Sequence, residues 1–183
     1  MADLTTWSTV QNRFGLDSAR QSETENLISV ASTRAENHAG RILAAMDVTW
    51  DLSGPGTRKL ILGEWPINSV DSVYVDSGRS FGADTEVTDY VVLSELGQLW
   101  RDQGWPRGVA NIRVNANIGY DPVPADLEES IVQLVGYWLD APAINWIGGE
   151  DGTEGGYQSQ YTGAMDIPFQ IAKIWGDYRK IPV

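Results

Sequence analysis

The chain has no cysteine, a single histidine, and 13 basic residues against 25 acidic ones. Each scarcity excludes a class of function. Without cysteine there is no disulfide scaffold, no thiolate metal site and no cysteine nucleophile. One histidine, His38, cannot supply the several nitrogen or sulfur ligands a zinc centre needs. No G-x-S-x-G elbow accompanies it, so a Ser–His nucleophile is not supported either. His38 lies in a helical stretch beside an alanine stripe, where it reads as a packing or solvent-edge residue. A formal net charge of −12 argues against wrapping DNA or docking on anionic lipid, because both need clustered Lys and Arg. The basic residues are scattered, with only short pairs such as Arg58-Lys59 and Arg179-Lys180. The most apolar window, Ile131 to Ile147, is interrupted by Gln133, Asp140 and Pro142 and would not span a bilayer. "MADLTTWSTV" lacks the basic and apolar regions of a secretory signal. The expectation is a soluble chain with no membrane partner, no metal and no cofactor.

What is present is material for a core. Of 183 residues 42% are hydrophobic and eight are tryptophan, enough for one packed domain. The first 46 residues read as helical. "TTWSTVQNRFG" offers Thr5 or Thr6 as N-cap, Trp7, Val10 and Phe14 on one face, and Gly15 as the stop. "SETE" has capping-box spacing at Ser22 and Glu25. It opens a second helix with Leu27, Ile28, Ala31, Ala35, Ile42, Leu43 and Met46 at near-helical intervals. From Asp47 to Tyr120 the period changes to two. "VTWDL", "RKLIL", "SVDSVYVD", "TDYVVLS", "QLWRD" and "NIRVNANIGY" read as strands separated by turn-forming stretches. In the last of these Ile112, Val114, Ala116 and Ile118 alternate with Arg113, Asn115 and Asn117. One dry and one wet face predict an antiparallel sheet packed on helices.

Pro122 and Pro124 then end the strand, since proline has no ladder N–H. A helix over 124–140 follows, with Asp126, Glu128 and Glu129 at its positive end and Leu127, Ile131, Leu134, Val135 and Trp138 as its buried stripe. The stretch 148–165, containing "GGEDGTEGG", reads as a Gly-rich acidic linker. Residues 166–183 form a short amphipathic arm, with Asp166 as cap, Pro168 in the first turn and Ile167, Ile171, Ile174, Trp175 and Tyr178 as its apolar run. Such an arm either finds a partner on another chain or folds back on its own domain.

No motif points to a reaction. "SGPGTRK" lacks P-loop spacing and leads into a strand, so a hairpin turn is the expectation. "GGEDGTEGG" has oxygen ligands without EF-hand spacing. Trp65 and Trp105 each precede a proline in a loop and are candidates for exposed contact surfaces, serving a protein partner or a sugar. A Trp-rich carbohydrate-binding module is the alternative reading.

The order of the pieces resembles a known family. "LILGEWPINSVDSVYVD", "GWPRG", the "GYDPVPADL" junction, the "VPADLEESIVQLVGYW" helix and the closing "IAKIWGDYRKIPV" are similar to the head–tail connector (adaptor) proteins of long-tailed bacteriophages and gene transfer agents. "GEWP" departs from the commoner Leu-Pro of that family. The resemblance implies an α+β fold: a helical bundle (helices 5–46 and 124–140) with an inserted small antiparallel β-sheet (47–120), together forming a connector domain 1–147, plus the C-terminal arm. It implies a non-enzymatic virion protein at the head–tail junction, assembled in the host cytoplasm. A ring, usually a dodecamer, would sit on the portal protein, extend the channel for passing double-stranded DNA without sequence specificity, and dock the stopper or tail-completion protein. An acidic bore would let that DNA slide. By position, Ile167, Phe169, Ile171, Ile174, Trp175 and Tyr178 would engage the portal. Trp65, Ser77, Arg79, Phe81 and Trp105 would face neighbours or the tail. Leu27, Ile42, Leu43, Leu127, Ile131, Leu134 and Trp138 would form the helical core.

Overall fold

A computed structural model describes residues 2–140 and 167–180. The linker 148–165, its acidic glycine run and Asp166 lie outside the described residues. Four α-helices and six strands are assigned: α1 (Trp7–Phe14), α2 (Gln21–Ala39), β1 (Met46–Leu52), β2 (Lys59–Ile61), β3 (Ile67–Val75), β4 (Val91–Leu93), β5 (Gln98–Trp100), β6 (Ile112–Ile118), α3 (Ala125–Asp140) and α4 (Phe169–Asp177).

Local chemistry sets most boundaries. Thr6 caps α1 by accepting from the Thr9 N–H, and Gly15, in the left-handed region at φ 63°, closes it. The expected capping box does not form. A 3₁₀ turn at Ser18–Arg20, capped by Asp17, already leads into α2, so Ser22 lies inside the helix. Nor does α2 continue to Met46. Gly40 turns left-handed at φ 68°, and the buried Glu36 carboxylate reaches back to accept the Leu43 N–H at 3.0 Å. Past that turn Leu43 stays in the helical core, whereas Ile42 packs on the β core instead. The assignment of Ile42 to the bundle is therefore corrected, because the helix ends before it.

The helices share one core. Ile28, Ala31, Ala35 and Ala39 of α2 meet Leu127, Ile131, Leu134, Val135 and Trp138 of α3, with Val10 of α1 and Ile171 and Trp175 of α4. Leu27 is partly buried against the same cluster. Small side chains let the helices approach closely. At Gly136 the Phe14 ring stands where a Cβ would be, 2.4 Å from it. Gly136→Ala is expected to displace that half-exposed ring at little net cost, within about 1 kcal/mol, because alanine also favours the helix by a similar amount. Chemical denaturation would measure it.

The β region contains two sheets rather than one, of strand order β1-β6-β3 and β2-β5-β4, all antiparallel. The alternation in β6 is as expected: Ile112, Val114, Ala116 and Ile118 are buried. Their partner differs from the expectation. The dry face packs with Leu60, Leu62, Leu99 and Trp105 from the second sheet and its flanking segments, so the β module has its own core beside the bundle. The wet face is a polar ladder, in which Asn115 accepts from Thr49 and donates to Ser72, and Asn117 donates to Asp47.

Candidate assembly surfaces

The C-terminal helix α4 is built into the bundle. Ile171 and Trp175 are buried, and the Trp175 Nε1–H donates to the Ser130 hydroxyl at 2.8 Å. His38 meets the Trp175 ring edge-on at 5.9 Å, which accounts for the one histidine as a packing group. The Tyr178 hydroxyl donates to Asp126 at 2.5 Å, and burial with that carboxylate pushes its pKa well above the usual phenol value. Past the helix, the Lys180 N–H donates to the Ala39 carbonyl and its ammonium pairs with Glu64 at 2.9 Å. Ile167, Ile174 and Tyr178 are partly buried against the same core. Of the six arm residues only Phe169 is open, 80% exposed at the first position of α4.

Trp105 is not a surface residue. It is 2% exposed, its Nε1–H donates to the Leu99 carbonyl, and its ring lies beside Tyr90. The Trp-Pro sequence turns the chain back under the small sheet, which hides the ring. Trp65 is half-buried beneath the Arg41 guanidinium, 4.1 Å from its ring centroid. The two tryptophans therefore form no shared exposed face, and the sugar-stacking alternative loses the feature it rested on.

At the other end of the β module three loops converge: 53–58, 76–81 and 105–111. Asn111, itself buried, joins them. Its side-chain oxygen accepts the Gly54 N–H at 2.8 Å, its amide donates to the Pro106 carbonyl, and its own carbonyl accepts the Asp76 N–H. Arg79 donates to the Val109 carbonyl, and the Ser53 hydroxyl accepts the Ala110 N–H. Gly54 has no alternative, since a Cβ there would sit 1.8 Å from the Pro106 carbonyl oxygen. Ser77 and Arg79 are exposed as expected, whereas Phe81 is half-covered by the Arg113 guanidinium at 4.2 Å. Arg113 also forks onto Asp51 and holds that carboxyl below its usual pKa, mainly through the hydrogen bond.

The loop at 76–81 is organised by one carboxylate. Asp76 accepts from the N–H groups of Gly78, Ser80 and Phe81 and from the Ser80 hydroxyl, which together lower its pKa to about 2. A depressed pKa means that this ordering is fully present above the unfolded value near 3.8 and is lost as pH falls toward 2. The expected result is that the amide resonances of Gly78, Ser80 and Phe81 keep native shifts at pH 5 and move together between about pH 4 and 2. Movement beginning above pH 5 would contradict the assignment to Asp76.

No group of three or more His, Cys, Asp or Glu side chains among the described residues is placed to hold a metal ion. No described helix is long and apolar enough to cross a membrane. The described residues thus form an α+β fold with two packed cores, an α4 built into the bundle and an organised loop tip. The head completion protein family model matches residues 3–181, and the chain belongs to that family. Its role is structural rather than catalytic, as a head–tail connector component of phage or phage-like particles.

Solved structures share the fold. A chain from "Neck of empty GTA particle computed with C6 symmetry" superposes with TM-score 0.62 at 14% identity, covering 98% of this chain and 91% of that one. One from "Neck of native GTA particle computed with C12 symmetry" gives 0.60 at 15%, covering 100% and 96%. One from "Virion of native gene transfer agent (GTA) particle" gives 0.62 at 14%, covering 98% and 91%. No curated protein matches the sequence.

Proposed function

We propose that this chain is the subunit of a ring that seats on the portal, extends the DNA channel and offers a platform to the stopper or tail. The family match over nearly the whole chain carries this reading, and the likeness to neck chains of twelvefold and sixfold particles supports it. Double-stranded DNA passes through the ring without sequence-specific contact. Assembly takes place in the host cytoplasm.

The arm's portal contact narrows once burial is considered. Ile171 and Trp175 are occupied by the chain's own core, so the portal side of the contact centres on Phe169, with the half-buried Ile167, Ile174 and Tyr178 behind it. An exposed aromatic on a rigid helix is a suitable anchor for a partner pocket. Phe169→Asp is expected to leave the melting temperature unchanged and to weaken capture on the cognate portal by about tenfold or more. Deleting the arm is a poorer test, because it would remove Trp175 from the core. Portal binding that survives Phe169→Asp would move the interface elsewhere. No binding by the wild-type chain would overturn the portal reading itself.

A further inference from the structure

Two exposed patches of opposite charge stand at opposite ends of β6. The first is the three-loop tip. Arg58, Arg79 and Arg107 are exposed there, and none of them forms an ion pair among the described residues. The carboxylates beside them are engaged. Asp76 is turned into its own loop by four hydrogen bonds, and Asp51 holds Arg113 through both oxygens at 2.7 Å. With the arginines stand Val109, 71% exposed, and the exposed Pro55 and Pro106. A mixture of guanidinium and apolar groups suits a protein surface better than a phosphate backbone. The tip is also ordered in advance, because the buried Asn111 ties its loops together.

The second patch is a corner where the chain leaves β6 and the start of α3 meets the end of α4. Asp121, Asp126 and Asp177 are exposed there around the half-buried rings of Tyr120 and Tyr178, which meet edge-on at 5.6 Å. The Tyr178 hydroxyl donates to Asp126, and its pKa is raised by burial first and then by the charges of Asp126 and Asp177, so both carboxylates stand close to one phenol. None of the three carboxylates is paired with a cation among the described residues. Glu129 and Glu23 of the bundle, by contrast, are already held by Arg13 and Arg20. The cations near the corner are committed elsewhere: Lys180 to Glu64, Arg41 between the rings of Trp65 and Tyr120, and Arg179 in the wall of the cleft beside His38. Glu86 is also exposed and unpaired, but it bridges to Tyr74 near the tip itself. A second tip laid against it would bring two sets of arginines together. The corner carries no such penalty. β6 runs from Asn111 at the tip toward Tyr120 and Asp121 at the corner, and its seven residues alone span about 20 Å. The two patches of one copy therefore cannot meet, and a contact between them runs from one copy to the next.

We propose that the tip of one copy, through Arg58, Arg79, Arg107 and Val109, docks on the corner formed by Asp121, Asp126 and Asp177 in a second copy. The inference rests on the ring reading above and supplies its subunit contact. Unpaired guanidinium groups meet unpaired carboxylates, and Val109 has the exposed Pro122 as an apolar counterpart. The two surfaces differ, so the interface is heterologous, the type that propagates head to tail and closes into a ring when its rotation permits. It also answers how a chain of net charge −12 associates with itself, because its free cations are gathered at one end and open carboxylates at the other.

Sedimentation velocity on the full chain, at low and high ionic strength, tests the contact. The wild type is expected to self-associate at low salt and to lose association as salt rises. R58E/R107E spares Arg79, whose Nε–H holds the Val109 carbonyl, and D121K/D177K spares Asp126, which holds Tyr178. Each double variant is expected to weaken association by about tenfold or more while melting like the wild type. The combined R58E/R107E/D121K/D177K chain is expected to recover it, because a negative tip then meets a positive corner. A merely structural role for these residues would not produce that recovery. Absence of wild-type self-association, wild-type behaviour of either double variant, or failure of the combined chain to recover would each overturn the proposal. Portal capture reports separately: a chain that self-associates by this contact yet ignores the portal overturns only the portal reading, and one that binds the portal but fails the charge exchange overturns only this contact.

Discussion

Trp175→Ala is expected to destabilise the protein by about 3–5 kcal/mol, the range for removing a fully buried tryptophan. Trp175 is 0% exposed and fills the space between α2 and α3, although it comes from the other end of the chain. Its loss removes the ring from the core, leaves the Ser130 hydroxyl without its indole donor, and takes away the edge contact of His38. Ser130 still donates to the Leu127 carbonyl, so the polar loss is partial and the cavity dominates. Urea denaturation with intrinsic fluorescence of the remaining tryptophans would measure the change. Were the variant to unfold at the wild-type midpoint, α4 would not be packed on the bundle in solution. The consequence for assembly is direct. If α4 belongs to the fold, it presents Phe169 from a fixed position rather than ordering only on its partner.

The second large effect is expected at Asn111. Asn111→Ala removes the acceptor for the Gly54 N–H and the donor to the Pro106 carbonyl. A buried donor left without a partner costs about 1–3 kcal/mol. The remaining backbone bonds, Gly108 to Gly54 and Asp76 to residue 111, are not enough to hold the left-handed Ala110 against its strain. The expected outcome is a global stability loss of about 2 kcal/mol, with faster hydrogen exchange at Gly54 and Gly108 than that loss alone explains. Exchange at these amides unchanged from the wild type would show that the tip does not depend on Asn111.

Much of this was legible in the chain itself. The change from helical to alternating periodicity near Asp47 marks the boundary between bundle and β module, and all six strands fall on the runs that the alternation picked out. Pro122 and Pro124 stop β6 and lead into α3, and the stripe Leu127, Ile131, Leu134, Val135 and Trp138 is buried as its spacing requires. The absence of cysteine, the single histidine and the lack of any catalytic motif pointed away from catalysis. These are local properties, readable because backbone propensity and side-chain period act within a few residues.

Other features depended on what came to lie against what. An amphipathic stripe states that α4 needs an apolar partner but not which one, and the groove between α2 and α3 decided it. Trp105 sits in a loop by sequence, yet the β2-β5-β4 sheet closes over it. Ile42 keeps helical spacing with Ile28 and Ala35, but Gly40 and the Glu36–Leu43 bond turn the chain before that spacing takes effect. Arg58, Arg79 and Arg107 look scattered along the chain and form one basic tip only because Asn111 ties three distant loops together. Sequence by itself determined the periods, the breaks and the chemistry that is missing. Tertiary structure alone decided which apolar surfaces meet and which charges are left outward, because burial and charge clustering are properties of distance in space rather than along the chain.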